Sequence, residues 1–536
     1  MSKSLRGRLL AAIFSASAFG LTAAPAAAET LADAIAMAYE TNPVLASQRA
    51  TQRALDETYV QARSGWRPTL NFTSTYAYAE TRTPGESRTF AQRLFGPGVT
   101  NGNTQSNSLS FNQPIWTGGR VAAAVSAVEA DIMQGRENLR RVEAQVLAQV
   151  IQAYVDVRRD EAALGIRQRN VEVLQAQLRE SQARFDVGEI TRTDVALSES
   201  RLAGAQSLLQ NAEAQLAISR ANYAAAVGRN PGTLSPEPSL AYLMPPTVDE
   251  AFTVAETYSP LLRSQQFAEQ ASRARVAGAR AERLPNISAG ASLVFRDDSA
   301  LEGIAREQFA RETSVGVTVQ VPIFNGGLTS SRIRQNIERN NADRITVETQ
   351  RRSVLQQVTQ SWNQLMAARA QIASTAQQVR AATIATEGTR EEQKVGLRTT
   401  LDVLNAEQEL RNAELSQVQA RRDEYVAAAT VLSAMGRLEA RNLVPTVPQY
   451  DAKANFRRLR ITWGWVPWEE PISIVDRVVA LPPAPQPKDK PTEPPIGPGL
   501  QPPPNPAVVT QPQAAAPTPQ LRPALNVLDL FRPKRR

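Results

Sequence analysis

Charged side chains gather at two short glycine turns built on one pattern. The first reads Phe185-Asp186-Val187-Gly188 and leads through Thr191 to Thr193-Asp194-Val195. The second reads Val395-Gly396-Leu397-Arg398-Thr399-Thr400-Leu401-Asp402-Val403-Leu404, with Asn405 next. In each, a threonine stands three residues ahead of an aspartate, Thr191 before Asp194 and Thr399 before Asp402. That spacing fits a capping box at the start of a helix. Arg398 has no comparable capping role, so its charge is open to another partner. The chemistry on offer is electrostatic, because the 536 residues include no Cys and no His. Thiol nucleophiles, disulfides and thiolate metal sites are gone, and so are the usual general base and the commonest metal ligand. No glycine-rich phosphate loop or nucleophile elbow replaces them. An enzyme is not expected, nor is a cofactor or a metal.

The formal charge of +8 does not point to nucleic acid. Arginines alternate with Glu and Asp along helical stretches, which describes a solvated helix surface. Lys3, Arg6 and Arg8 precede an apolar run, Leu9 to Leu21, that ends in Pro25-Ala26-Ala27-Ala28. This is the pattern of a secretory signal over residues 1–28, too short to span a bilayer. No later stretch approaches the roughly 20 consecutive apolar residues of a spanning helix, which leaves a β-barrel as the route into a membrane.

The elements that position the two turns come as a duplication. Pro114-Ile115-Trp116-Thr117-Gly118-Gly119 matches Pro322-Ile323-Phe324-Asn325-Gly326-Gly327, and Gly188, Asp194 and Gly228 match Gly396, Asp402 and Gly436 without a gap. Upstream, Asn42-Pro43 and Pro68 match Ser259-Pro260 and Pro285. Residues 29–228 and 248–436 therefore form two repeats, each reading helix, strand, loop, strand, long helix, turn, helix. A connector, 229–247, joins them, a C-terminal equatorial segment spans 437–481, and a Pro-rich tail follows over 482–536.

Strands are expected over Thr69–Glu80, Asn107–Trp116, Asn286–Arg296 and Ser314–Phe324, with a longer first loop from Thr81 to Asn107. Leu70, Phe72, Tyr76 and Tyr78 alternate with Asn71, Thr73 and Thr75, as Val315, Val317, Val319, Val321 and Ile323 do with polar neighbours. Each run is close to the roughly 9 to 11 residues of a tilted transmembrane strand. Between Gly119 and Val187 there is no proline, and Val150, Val157, Leu164, Val171, Leu178 and Phe185 recur every seventh residue. Val358, Leu365, Ile372 and Val379 repeat the seam, the signature of a coiled coil about 100 Å long. The return helices have half that length, which leaves room above them for Leu31–Arg63 and Val248–Arg283. The N-terminus, the connector and the segment after Gly436 should then meet at mid-height. Four strands cannot close a barrel, so other copies must complete it.

The duplicated Pro-x-x-x-Gly-Gly strand exits and the two tip motifs resemble the TolC family of outer-membrane factors over about Thr30 to Gly436. The resemblance implies a mainly α protein with a membrane β-barrel: a homotrimer in the outer-membrane lipid, with twelve strands and a coiled-coil helical tunnel across the periplasm. It implies a passive exit duct for secreted polypeptides or small toxic compounds. The implied partners are a periplasmic adaptor and an inner-membrane ABC or proton-driven pump. It further implies a gate at the tips, with Arg398 as the linking arginine, Asp194 as its carboxylate partner and Asp402 in an acidic ring. There, converging carboxylates raise one another's pKa and attract cations. Gln393 stands where the family has a linking tyrosine, and Asn405 where it has a second ring acid. The competing reading, a periplasmic coiled-coil scaffold or adaptor, explains the heptads but leaves four bilayer-length strands without a purpose. The segment Ile461 to Trp468 is expected to pack its indoles on the mid-height belt. Truncation after about Gln486 should preserve trimerisation and membrane insertion; loss of both would place a structural element in the tail.

Overall fold

The computed structural model describes residues 28–82, 90, 99–298, 310–459, 461–462 and 464–478; the signal stretch up to residue 27 and the Pro-rich tail lie outside them. The first repeat runs α1 (Leu31–Thr41), α2 (Pro43–Arg63), β1 (Thr69–Arg82), β2 (Val99–Trp116), α3 (Arg120–Asp186) and α4 (Arg192–Val227). The second runs α5 (Val248–Tyr258), α6 (Pro260–Ala281), β3 (Asn286–Asp298), β4 (Ala310–Gln320), α7 (Leu328–Lys394) and α8 (Thr400–Ala434). Three short helices follow, α9 (Ala440–Leu443), α10 (Ala454–Leu459) and α11 (Glu469–Val478).

Helices α3 and α7 each span 67 residues, about 100 Å at the α-helical rise. Their seam is buried where neighbours flank it, with Val150, Val157, Val358 and Leu365 all at 0 % exposure. A second seven-residue series, offset by four, runs above it through Val125, Ile132, Leu139 and Val146, which are buried too. In the upper half the helices pack in the order α2, α3, α6, α7; in the lower half the order is α4, α3, α8, α7. Helix α3 therefore has neighbours on both sides, and it buries far more side chains than α7, whose far side is open.

The expected helices 31–63 and 248–283 are each divided, because Pro43 and Pro260 cannot donate to the preceding turn and push the residue before them out of the helical region. Asn42 is extended, at φ −64° and ψ 122°, and caps α2 by accepting from the Val44 N–H at 2.9 Å. The return helices end against these breaks: Asn42 Nδ2 donates to the Ala226 carbonyl at 3.1 Å. In the second repeat Gly436, at φ 70°, closes on the Tyr258 carbonyl so tightly that a Cβ would lie 2.4 Å from its oxygen. At the same level the three belt segments meet. Glu29 bridges to Leu234, Tyr154 Oη donates to the carbonyls of Glu29 and Ser235, and the Tyr450 N–H donates to Tyr39 Oη.

The strands form one antiparallel sheet in the order β1-β2-β3-β4. Its register aligns Leu70, Phe111, Ala291 and Val315 in one row and Phe72, Leu109 and Leu293 in the next, on one face. The alternate row, Asn71, Ser110, Ser292 and Ser314, lies on the other face. The apolar face is open, with Phe72 69 % and Val315 81 % exposed. Two strand bounds differ from expectation. The segment Val99–Ser106 belongs to β2, because it pairs with Thr75–Arg82. Strand β4 spans Ala310–Gln320, and Val321, Ile323 and Phe324 lie beyond it. There β3 begins, at Asn286 opposite Gln320, and Pro322 has no N–H to offer.

The C-terminal segment corrects the equatorial placement. Only its first part stays at the belt, where Glu439 meets Arg140 and the Ala440 N–H reaches Glu143. It then rises along α2, with Phe456 against Tyr59, and α11 docks beneath the sheet. Glu469, fully buried, accepts from Arg63 Nε at 2.6 Å and Arg67 Nε at 2.9 Å. Asp476, also at 0 % exposure, accepts from the backbone N–H groups of Thr117, Gly119 and Ala122 and from Trp66 Nε1. A distant carboxylate thus caps the start of α3. Burial opposes the charge on Arg63, yet Glu470, Tyr59 and Glu469 together hold its pKa above the usual value. Glu469→Ala would leave the buried Arg67 without its carboxylate and Arg63 with Glu470 alone, at a cost of about 3 kcal/mol. Thermal melting in detergent should register that loss, and an unchanged melting temperature would count against the pairing.

Candidate functional site at the helix tips

Each tip is a tight reversal forced by a glycine. The Gly188 N–H donates to the Phe185 carbonyl and that of Glu189 to Arg184; the Gly396 N–H donates to Gln393 and that of Leu397 to Glu392. Gly188 and Gly396 sit at φ 79° and 81°, left-handed values that a side chain rarely adopts. The strand exits use the same freedom, with Gly118, Gly119, Gly326 and Gly327 all at positive φ. The two halves differ there: Asp476 covers the first exit, whereas a Cβ at Gly326 or Gly327 would meet nothing within 4 Å.

Both tip aspartates cap the helix that returns from the turn. Asp194 Oδ2 accepts from the Thr191 N–H at 3.0 Å and from Thr191 Oγ1 at 2.8 Å. Asp402 Oδ2 accepts the same pair from Thr399 at 3.0 and 2.8 Å, and Thr399 Oγ1 accepts from the Asp402 N–H at 3.2 Å. These bonds to Thr399, with Arg398 nearby, hold the Asp402 carboxyl below its usual range. Arg398 Nε donates to Glu392 Oε2 at 2.8 Å across its own turn, and both side chains are about half exposed. Arg398 and Asp194 are therefore not joined within the chain. Its pKa is raised, first by the hydrogen bond to Glu392 and then by that group's charge.

Gln393 is buried and its Nε2 donates to Thr400 Oγ1 at 3.4 Å, so it ties α7 to α8 within one hairpin. Asn405 accepts from Arg201 Nη2 at 3.1 Å, which joins α8 to α4 of the other hairpin. Sequence reasoning missed the donor Arg201. It also missed Leu404, 2 % exposed, which enters a cluster with Val171, Leu174 and Ala205 of the first hairpin. Heptad spacing gave no signal for it, since Leu397, seven residues before, lies in the turn and is 76 % exposed. Just above, Arg390 pairs with the buried Glu407, which Arg411 also approaches at 3.3 Å. The tips of one protomer are thus held together by an apolar plug and an arginine–asparagine bond, while Arg398, Asp194 and Asp402 remain at the surface.

The family model described as outer membrane efflux protein matches residues 34–229 and 254–437, which are the two repeats. The outer membrane efflux protein BepC of Brucella suis biovar 1 (strain 1330) is 34% identical over 458 residues, covering 85% of this chain and 96% of BepC. The outer membrane protein TolC of Escherichia coli (strain K12) is 26% identical over 482 residues, covering 84% of this chain and 93% of TolC. Among solved structures, the outer-membrane channel OprN superposes with a TM-score of 0.64 at 19% identity, over 76% of this chain and 89% of that one.

Leu404→Ala empties a buried site and should cost about 2 to 5 kcal/mol, read as earlier melting and as faster proteolysis at the glycine turns. Acid should also loosen the α8 cap. The folded pKa of Asp402 is depressed, so its contribution is complete above the unfolded value of about 3.9 and is lost as pH falls through the folded one. Hydrogen exchange at Thr400–Val403 that stays constant on acidification below that value would contradict the cap.

Proposed function

The chain belongs to the outer membrane efflux protein family, and from that premise we propose that three copies close a twelve-stranded barrel and a helical tunnel that serves as the passive exit of a tripartite export system. The observation that carries this reading is the open sheet: β1 and β4 are edges, and the row Leu70, Phe111, Ala291 and Val315 is apolar from one edge to the other. Unpaired edges are not tolerated in lipid, and a neighbouring copy supplies the missing partner. The open flank of α7 supports the same closure one layer below. An adaptor in the periplasm and an energised inner-membrane pump complete the pathway; the similarity to BepC, an efflux protein, favours small compounds as cargo.

Within this duct the tips act as the gate. Arg398 and Glu392 are exposed, so their contact is weak and readily exchanged for a carboxylate or carbonyl of the next protomer. Threefold symmetry brings the Asp402 side chains around one axis, where they select and bind cations. Arg398→Ala should raise single-channel conductance and admit larger antibiotics while trimer stability stays nearly constant. Asp402→Asn should lower cation preference and block by multivalent cations, with a modest loss of cap stability. Planar-bilayer recordings of both variants beside the parent test the gate: unchanged conductance for Arg398→Ala removes it, and unchanged cation block for Asp402→Asn leaves that residue a cap alone.

A further inference from the structure

Helix α11 is amphipathic in the wrong sense for a helix that faces water. Its inward stripe is Glu469, Ile472, Ser473 and Asp476, and the two carboxylates there are fully buried. Its outward stripe is Pro471, Ile474, Val475 and Val478, at the same i, i+3, i+4, i+7 spacing, with Ile474 59 %, Val475 51 % and Val478 78 % exposed. The inward acids are accounted for by Arg63, Arg67 and the start of α3. Among the described residues the outward face has no partner. Residues just before the helix share the character, with Ile461 73 % and Trp468 48 % exposed.

The position of α11 says what covers that face. Trp468 Nε1 donates to Gln113 Oε1 at 3.0 Å, and Gln113 Nε2 donates to the Trp66 carbonyl at 2.8 Å. Gln113 pairs with Ala289, one step below the Phe111–Ala291 row, so it belongs to the apolar face of the sheet. The Trp468 indole therefore continues the outward apolar face at the rim from which the long helices leave. Indoles with one bonded N–H at the edge of an apolar band are the mark of a membrane–water interface, and an apolar helix face beside them lies in the plane of that interface.

We propose that the Trp468 corner and α11 form an interfacial anchor, in which Ile474, Val475 and Val478 enter the periplasmic leaflet of the outer membrane. The occupant is lipid, because this face is continuous with the lipid-facing band of the strands. The anchor rests on the reading of that band. It would fix the depth of the barrel and couple the capped start of α3 to the membrane surface.

The chain has no cysteine, so Ile474→Cys, Val475→Cys and Val478→Cys each accept a single nitroxide label in the full-length protein. After reconstitution in liposomes, electron paramagnetic resonance compares collisions with oxygen, which enters lipid, and with a water-soluble nickel chelate. Phe72→Cys serves as the reference for the sheet's outer face, and Val187→Cys, at the tip, as the reference for water. The expected result is an oxygen-to-chelate ratio at 474, 475 and 478 shifted toward that of Phe72→Cys. Ratios equal to that of Val187→Cys would overturn the proposal. So would labels shielded from both reagents and immobilised, which would assign the face to a neighbouring protomer. Chelate access at Phe72→Cys itself would instead remove the lipid face of the sheet, and the anchor with it.

Discussion

A backbone amide or carbonyl inside a bilayer has no water to bond, and this requirement governs the whole molecule. The described residues bring four strands into one sheet, in which β1 and β4 each keep one bare side. The helical layer repeats the condition, since α7 lacks the second neighbour that α3 has. In the proposed assembly a protomer is thus a stave with two unfinished edges, which its neighbours complete.

The two repeats meet that constraint through equal dimensions. Helices α3 and α7 have the same length, and both tips close with one hydrogen-bond pattern, so the strand exits and the tips of the repeats lie at matching heights. The repeats are not equivalent in detail. Asp476 caps the first long helix from the C-terminal segment, whereas the second exit keeps Ile323 and Phe324 at 94 % and 88 % exposure. Leu404 enters the first hairpin's core, while its counterpart Ala196 has no place in that cluster. The symmetry of the duplication is broken where a protomer must present different surfaces to its two sides.

Much of this was legible in the sequence because its signals are periodic and local. Sevenfold apolar spacing wrote the long helices, alternation wrote the strands, and Thr-x-x-Asp wrote the caps found at Asp194 and Asp402. The meeting of the connector with the chain ends followed from helix lengths alone. What stayed hidden depends on contacts across hundreds of residues. Glu469 and Asp476 lie about four hundred positions from Arg63 and Trp66, and a Trp- and Pro-rich stretch offers no period that points upward to the sheet. Val99–Ser106 read as loop because Gly, Asn, Gln and Ser dominate it, and only pairing with β1 makes it strand. At the tips, Gln393 and Asn405 were assigned by family position, and the structure gives them Thr400 and Arg201 as partners.

The closure of the sheet by other copies is the claim on which the rest stands. Native mass spectrometry of the protein extracted from outer membranes in mild detergent measures it directly. The account predicts a single species at three chain masses that persists at high dilution. A monodisperse monomer with a closed barrel would contradict it.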